Sequence, residues 1–328
     1  MKKIKLRNVG LGLFIASLGL SAISGCGASA SAGDDLTAAA SEELSSCDAK
    51  AFVVEAYDRV LNQLDSNALN TMFAENFVQH NSAFPDGRAG LAGLIEFRKT
   101  QQPEAHNEIV RVVAQGDLVA LHVHVTNTLA ERADEHAGVA IVDIFRVAHH
   151  QIVEHWDVIQ QVPPTSVNGH SMFDGGGALP KAGPARHRQA QKNAELVVSA
   201  YDKVLNQLDT APLATAFGPT YTQHNPTIAD GVGGLAALVA FRKAQQPEAH
   251  NEIERVIADG DLVMLQVHVT FTAAQRGDEH AGIAIADIFR VADGKIVEHW
   301  DVIQPVPPTS VNGHTMFDGG ARGPVSRF

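Results

Sequence analysis

The sequence predicts an α+β protein of two tandem cone-shaped domains, each with three N-terminal helices packed on a curved antiparallel sheet that encloses a pocket. Three observations carry this expectation. In each half, apolar residues at helical spacing come first and apolar residues alternating as in strands come second. The whole pattern then recurs: His80-Asn81 returns as His224-Asn225, and the offset 224 − 80 = 144 also relates Gly116-Asp117 to Gly260-Asp261 and Trp156 to Trp300. A period this long marks two complete folding units rather than a solenoid of small repeats. Finally, carboxylates and an imidazole stand among apolar side chains in Asp143–Val147 and Ile152–Ile159, where a buried acid is costly unless something pairs or uses it.

The chain begins with Lys2, Lys3, Lys5 and Arg7, followed by an apolar run from Val9 to Leu20 that is too short to span a bilayer comfortably. Residues 1–25 read as a secretion signal. Ile23-Ser24-Gly25-Cys26 resembles a bacterial lipobox, which implies cleavage before Cys26, lipidation of its thiol and a lipid-anchored place in the cell envelope, periplasmic or outer-surface. Residues 26–49, small and polar, read as a flexible tether. Cys47 is then the one remaining thiol, which excludes a disulfide within a domain and a cysteine metal site. The formal charge is −12, and removing the four basic residues of the leader gives −12 − 4 = −16. A nucleic-acid binder needs a basic face, so that class is excluded.

Residues 50–174 form the first expected domain and 191–328 the second, joined by a Gly- and Pro-rich linker at 175–190. In the first, Val53, Tyr57, Val60, Leu61 and Leu64 mark one helix, 68–73 a short second, and Leu91, Leu94, Ile95 and Arg98 a third that Pro103 stops. Strands follow at 109–113, 118–129, 137–147 and 152–162. In the second strand, Val119, Leu121, Val123 and Val125 share a face, opposite His122, His124 and Thr126. The last hairpin turns at Ala292-Asp293-Gly294-Lys295. A three-residue loop there places Asp287 opposite His299, and by the repeat Asp143 opposite His155, with Asp157 on the same face.

With the Gln79-His80-Asn81 and Gln223-His224-Asn225 loops and the run DIFRVADGKIVEHWDVIQ at 287–304, both copies resemble the SnoaL-like polyketide cyclases of the nuclear transport factor 2-like superfamily. The resemblance implies a cone around a blind apolar pocket and pairing of domains through their sheets, here as a pseudo-dimer within one chain. It places an acid/base aspartate at Asp143 and Asp287, and a second acid at Asp157 and Asp301. His155 and His299 are then tuning partners, His80 and His224 substrate orienters, and Asn81, Phe145, Trp156, Asn225, Phe289 and Trp300 the substrate-contacting residues. The implied activity is a lyase or isomerase reaction without cofactor, aldol-type or cyclising, on a small apolar or carbonyl-containing compound. The alternative is an envelope lipoprotein that binds an apolar ligand or serves as a dimerising scaffold.

Plainer readings stand beside these. Asp143 also fits a structural pair with Arg146 or His155, and Trp156 fits a packing anchor. His124 and His268 fit a sheet-to-sheet interface. The 16 histidines include no His-Glu-x-x-His run, and His122-Val123-His124 has Gln266 in place of its first histidine in the second copy, so no metal is expected. Neither a serine elbow, a phosphate loop nor a dinucleotide fingerprint occurs.

Overall fold

The computed structural model describes residues 45–176 and 184–320. The expected leader, Cys26 and most of the tether lie outside the described residues, as does the centre of the expected linker. Helix α1 (Ser46–Tyr57) begins inside the expected tether, and α4 (Pro184–Tyr201) begins inside the expected linker.

In the first domain α1 buries Ala49, Val53, Ala56 and Tyr57, and a π-helical turn, Asp58–Asn62, extends it to bury Val60. Asp65 caps α2 (Ser66–Met72) by accepting from the backbone N–H groups of Asn67 and Ala68. The chain then enters β1 (Phe73–Gln79), a strand that the sequence reading missed because its short alternation is broken by Glu75 and Asn76. Helix α3 (Arg88–Gln101) follows, then β2 (His106–Gln115), β3 (Leu118–Thr126), β4 (Val139–Ala148) and β5 (Gln151–Gln161). The sheet order is β1-β5-β4-β3-β2. Its β1–β5 pair is parallel, so the sheet is mixed rather than wholly antiparallel.

The last hairpin corrects the expected register. Its loop has two residues, His149 (φ 51°) and His150 (φ 56°), with Ala148 paired to Gln151. Positive φ at both positions matches the right-handed strand twist, and the second copy uses Asp293 and Gly294 in the same way. A bulge near Val153 then inserts one residue. As a result Asp143 faces Asp157 and His155 faces Phe145, instead of Asp143 facing His155. The loop and the bulge each shift the ladder by one residue, so the expected face survives although the partners change.

The second domain repeats this plan. It runs α4, a π-helical turn (Asp202–Asn206), α5 (Ala211–Thr215), β6 (Phe217–Gln223), α6 (Gly231–Gln245), β7 (His250–Asp259), β8 (Leu262–Thr270), β9 (Ile283–Ala292) and β10 (Lys295–Pro305). Each domain has its own apolar core between helices and sheet. A third apolar cluster lies between the two sheets. Val142, Ile144, Trp156 and Val158 meet Met264, Ala286, Ile288, Trp300 and Val302 there, so each sheet is covered on both faces.

The C-terminal arms of the domains cross over. Asn168 Nδ2 donates to the carbonyls of Asn225 (2.6 Å) and Ile228 (3.0 Å), and Asn312 Nδ2 to those of Asn81 (2.8 Å) and Phe84 (2.9 Å). The indole N–H of Trp300 donates to Asp174 O and that of Trp156 to Asp318 O, each at 2.9 Å. Gly175 and Gly176 of the expected linker, and Gly319 and Gly320 at the matching place in the second domain, are part of this seam. Gly175 (φ 74°) and Gly319 (φ 71°) lie so close to Glu298 and Glu154 that an added Cβ would sit 2.0 and 2.1 Å from a carboxylate oxygen.

Candidate functional site

Each cone encloses a cavity, about 180 Å³ in the first domain and 240 Å³ in the second. The walls are mainly apolar. In the first, Val60, Leu61, Phe73, Phe77, Leu91 and Phe145 contribute. Alternation along β4 and β5 turns Asp143, Phe145, His155 and Asp157 into this cavity, while Ile144 and Trp156 point to the seam.

The polar groups form one chain of hydrogen bonds. Arg98 Nη1 donates to Asn107 Oδ1 (2.9 Å), Asn107 Nδ2 to Tyr57 Oη (3.3 Å), and Tyr57 Oη to Asp143 Oδ2 (2.9 Å). The other oxygen of Asp143 lies 2.8 Å from His155 Nε2, and His155 Nδ1 lies 2.8 Å from Gln79 Oε1. Gln79 Oε1 also accepts from the backbone N–H of Asn81 (2.9 Å), which fixes the amide orientation and makes His155 Nδ1 a donor. Asp157 Oδ2 accepts from Asn81 Nδ2 at 2.6 Å. The second domain repeats the chain through Arg242, Asn251, Tyr201, Asp287, His299 and Gln223, with Asn225 on Asp301 at 2.7 Å. Among the described residues, Asp301 Oδ1 is buried without a hydrogen-bond partner.

Burial raises the proton affinity of Asp157, His155 offsets part of that, and the Asp143 charge adds to it, leaving a pKa of about 6. Asp301 sits at about 6 for the same reasons, led by burial. Burial disfavours the His155 imidazolium, but the Asp143 hydrogen bond and the charges of Asp157 and Asp143 overcome it and raise its pKa. Burial and the Asp143 charge push the Tyr57 hydroxyl well above its ordinary value, so it stays a donor.

Two histidines and two tryptophans expected to contribute are elsewhere. His80 and His224 lie behind the sheet, stacked on Trp156 and Trp300 at 4.8 and 4.9 Å between ring centroids. The strand that ends at Gln79 alternates, so Gln79 and Asn81 face the cavity and His80 faces away. Trp156 and Trp300 are seam residues, each under a stacked guanidinium, Arg255 and Arg111 respectively, and neither is a pocket wall. Asn81, Phe145, Asn225 and Phe289 do line the cavities. The sequence reading missed Tyr57, Gln79, Arg98 and Asn107. Arg98 was the available signal, because it shares a helical face with Leu91, Leu94 and Ile95, where a cation needs a buried partner.

A family model described as the SnoaL-like domain matches the chain twice, over residues 53–155 and 197–299. Among solved structures, a candidate polyketide cyclase from Bacillus cereus is 25% identical, covering 36% of this chain and 79% of its own, with a TM-score of 0.30. A candidate hydroxylase from Streptomyces galilaeus is 24% identical over 36% of this chain and 83% of its own, at 0.30. A candidate ketosteroid isomerase from Kribbella flavida is 16% identical over 35% and 80%, at 0.29. No curated protein sequence matches.

Proposed function

This chain belongs to the SnoaL-like family, in two copies, and from that premise we propose that each copy is a cofactor-independent proton-transfer site. The reaction class is lyase or isomerase, on a small and mostly apolar carbonyl compound. The observation that supports this most is the unequal treatment of the two acids. Asp143 has both oxygens engaged, by Tyr57 and His155. The Asp157 position has one oxygen held by asparagine, and in the second copy its other oxygen has no partner among the described residues.

The roles therefore differ from the sequence expectation. Asp157 and Asp301 are the acid/base groups, and Asp143 and Asp287 orient the imidazole. Asp157 takes a proton from the carbon next to the substrate carbonyl, and the electron pair moves onto the carbonyl oxygen to give an enolate. In a substrate with a C=C bond conjugated to the enolate, returning that proton to the far carbon of the conjugated system isomerises the substrate. Attack of the enolate carbon on a second carbonyl closes a ring, with the proton passing to the new alkoxide. A pKa of about 6 suits an acid that must both accept and return a proton near neutrality. Arg98 lines the same cavity, and its buried Nε–H has no partner among the described residues, which fits a substrate oxygen.

The leader and lipobox support a lipid-anchored place in the cell envelope, and the sheet-to-sheet seam supports the two domains working as a fused dimer. Labelling with a fatty-acid analogue tests the anchor, and Cys26→Ser should abolish it. The reaction class is tested by incubating a panel of small ketones and 1,3-dicarbonyls in D₂O and following loss of the α-proton signal by NMR. Exchange that disappears in the Asp157→Asn/Asp301→Asn double variant supports the proposal. Ligands retained in native mass spectrometry without exchange support a binding protein instead, the reading that the mainly apolar wall favours.

A further inference from the structure

Outside the cavities, the seam between the domains carries two matching clusters of histidine and carboxylate. Each is assembled from one domain's His-Asn loop and the other domain's crossing arm. We infer that each cluster binds one divalent transition-metal ion, of the class that takes imidazole and carboxylate ligands. The first ion would lie among His80 Nδ1, His314 Nδ1, Asp318 and the carbonyl of Thr315, and the second among His224 Nδ1, His170 Nδ1, Asp174 and the carbonyl of Ser171.

The donors already converge. His80 Nδ1 is 2.8 Å from Asp318 Oδ1 and 3.0 Å from Thr315 O, and His314 Nδ1 is 3.3 Å from Asp318 Oδ2. The partner site repeats this at 2.8, 3.0 and 3.4 Å. In each cluster a set of ligand atoms, two imidazole nitrogens and a carboxylate oxygen, lies within 4.8 Å of one another. Tetrahedral ligands at roughly 2.0–2.1 Å from zinc stand roughly 3.3 Å apart, so small adjustments suffice.

The outer groups also fit. A metal-bound imidazole commonly donates its other N–H to a carboxylate, which fixes its tautomer and orientation. His80 Nε2 is 2.9 Å from Glu154 and His314 Nε2 is 3.1 Å from Asp86. In the other cluster His224 Nε2 is 3.0 Å from Glu298 and His170 Nε2 is 3.5 Å from Asp230. His80 thus has acceptors at both ring nitrogens, an arrangement that an imidazolium satisfies and that a neutral imidazole satisfies when it ligates a cation through Nδ1. His80 and His224 are buried while His314, Asp318, His170 and Asp174 reach the surface, which leaves a way in for the ion. Two imidazoles favour zinc-class ions over calcium or magnesium, which prefer oxygen. The sequence expectation of no metal considered His122 and His124, which take no part: His122 meets Arg111 and His124 the carbonyl of Ala137.

Such an ion would pin each crossing arm, and with it the loop that presents Asn81 or Asn225 to a cavity. The test uses the full chain, stripped with EDTA and then titrated with zinc chloride by calorimetry, with the melting temperature followed in parallel. The expected result is two ions per chain and a higher melting temperature. His314→Gln should leave one ion, and His170→Gln/His314→Gln none. Asp86→Asn should weaken one site at least tenfold. Asp157→Asn/Asp301→Asn should keep both ions, which separates the seam from the cavity acids. Cobalt absorption bands of tetrahedral type should appear in the wild-type chain and vanish in the double histidine variant, whose circular dichroism confirms folding. No uptake at hundred-micromolar zinc, or uptake that persists in the double histidine variant, overturns the inference.

Discussion

Asp157 stands directly across the β4–β5 ladder from Asp143, and the two carboxylates have opposite surroundings. Asp143 is gripped by Tyr57 and His155, while Asp157 is held on one side by Asn81. A pair of acids in one apolar cavity divides the work when its environments differ in this way.

The first consequence concerns pH and stability. The pKa of Asp157 rises from an ordinary 3.8 to about 6, so the folded state binds the proton more tightly than the unfolded chain. The resulting stability is fully present below pH 4 and is lost as pH rises through 6, on the order of 3 kcal/mol per site. Asp157→Asn/Asp301→Asn should therefore be more stable than wild type above pH 6, with a flatter profile between pH 4 and 6. Urea melts across that range check this.

Removing the tyrosine hydroxyl should act through Asp143. Tyr57→Phe leaves one oxygen of a buried carboxylate and the amide of Asn107 short of a partner. The expected cost is about 1–3 kcal/mol in denaturant melts, with slower proton exchange in the first domain. An unchanged midpoint would mean that water takes over the hydroxyl's place.

Trp156→Ala separates packing from substrate contact. The side chain is fully buried on the seam and its N–H bonds to Asp318 O. Stability should fall by about 3–5 kcal/mol, while exchange kinetics per folded molecule stay within a few-fold of wild type. A large KM effect with little loss of stability would return the indole to the pocket wall.

The two cavities should differ in preference. The second has Tyr221 and Thr227 where the first domain has Phe77 and Ala83, and it is larger. Asp157→Asn alone should leave the activity of the second cavity, skewed towards bulkier or more hydroxylated substrates, and Asp301→Asn the reverse. Identical substrate profiles in the two single variants would contradict this.

The duplication, the helices and the two acids on an inner face were legible because period and burial cost are written locally in the sequence. Register was not. The two-residue turn at His149-His150 and the bulge near Val153 each move the ladder by one, and neither leaves a periodic trace. His80 was misplaced because β1 was not recognised, so its alternation could not be applied. The crossing arms were invisible for a different reason: contacts such as Asn312 to Asn81 join residues 231 positions apart. The buried relay from Arg98 to Tyr57 is likewise a product of tertiary packing.

The most direct measurement is a carboxyl carbon NMR titration of the uniformly ¹³C-labelled chain, with Asp157→Asn and Asp301→Asn used for assignment. Both side chains should titrate near pH 6. Titration of both near the ordinary 3.8 would show that these acids are solvated, and would contradict a proton-transfer role for the two cavities.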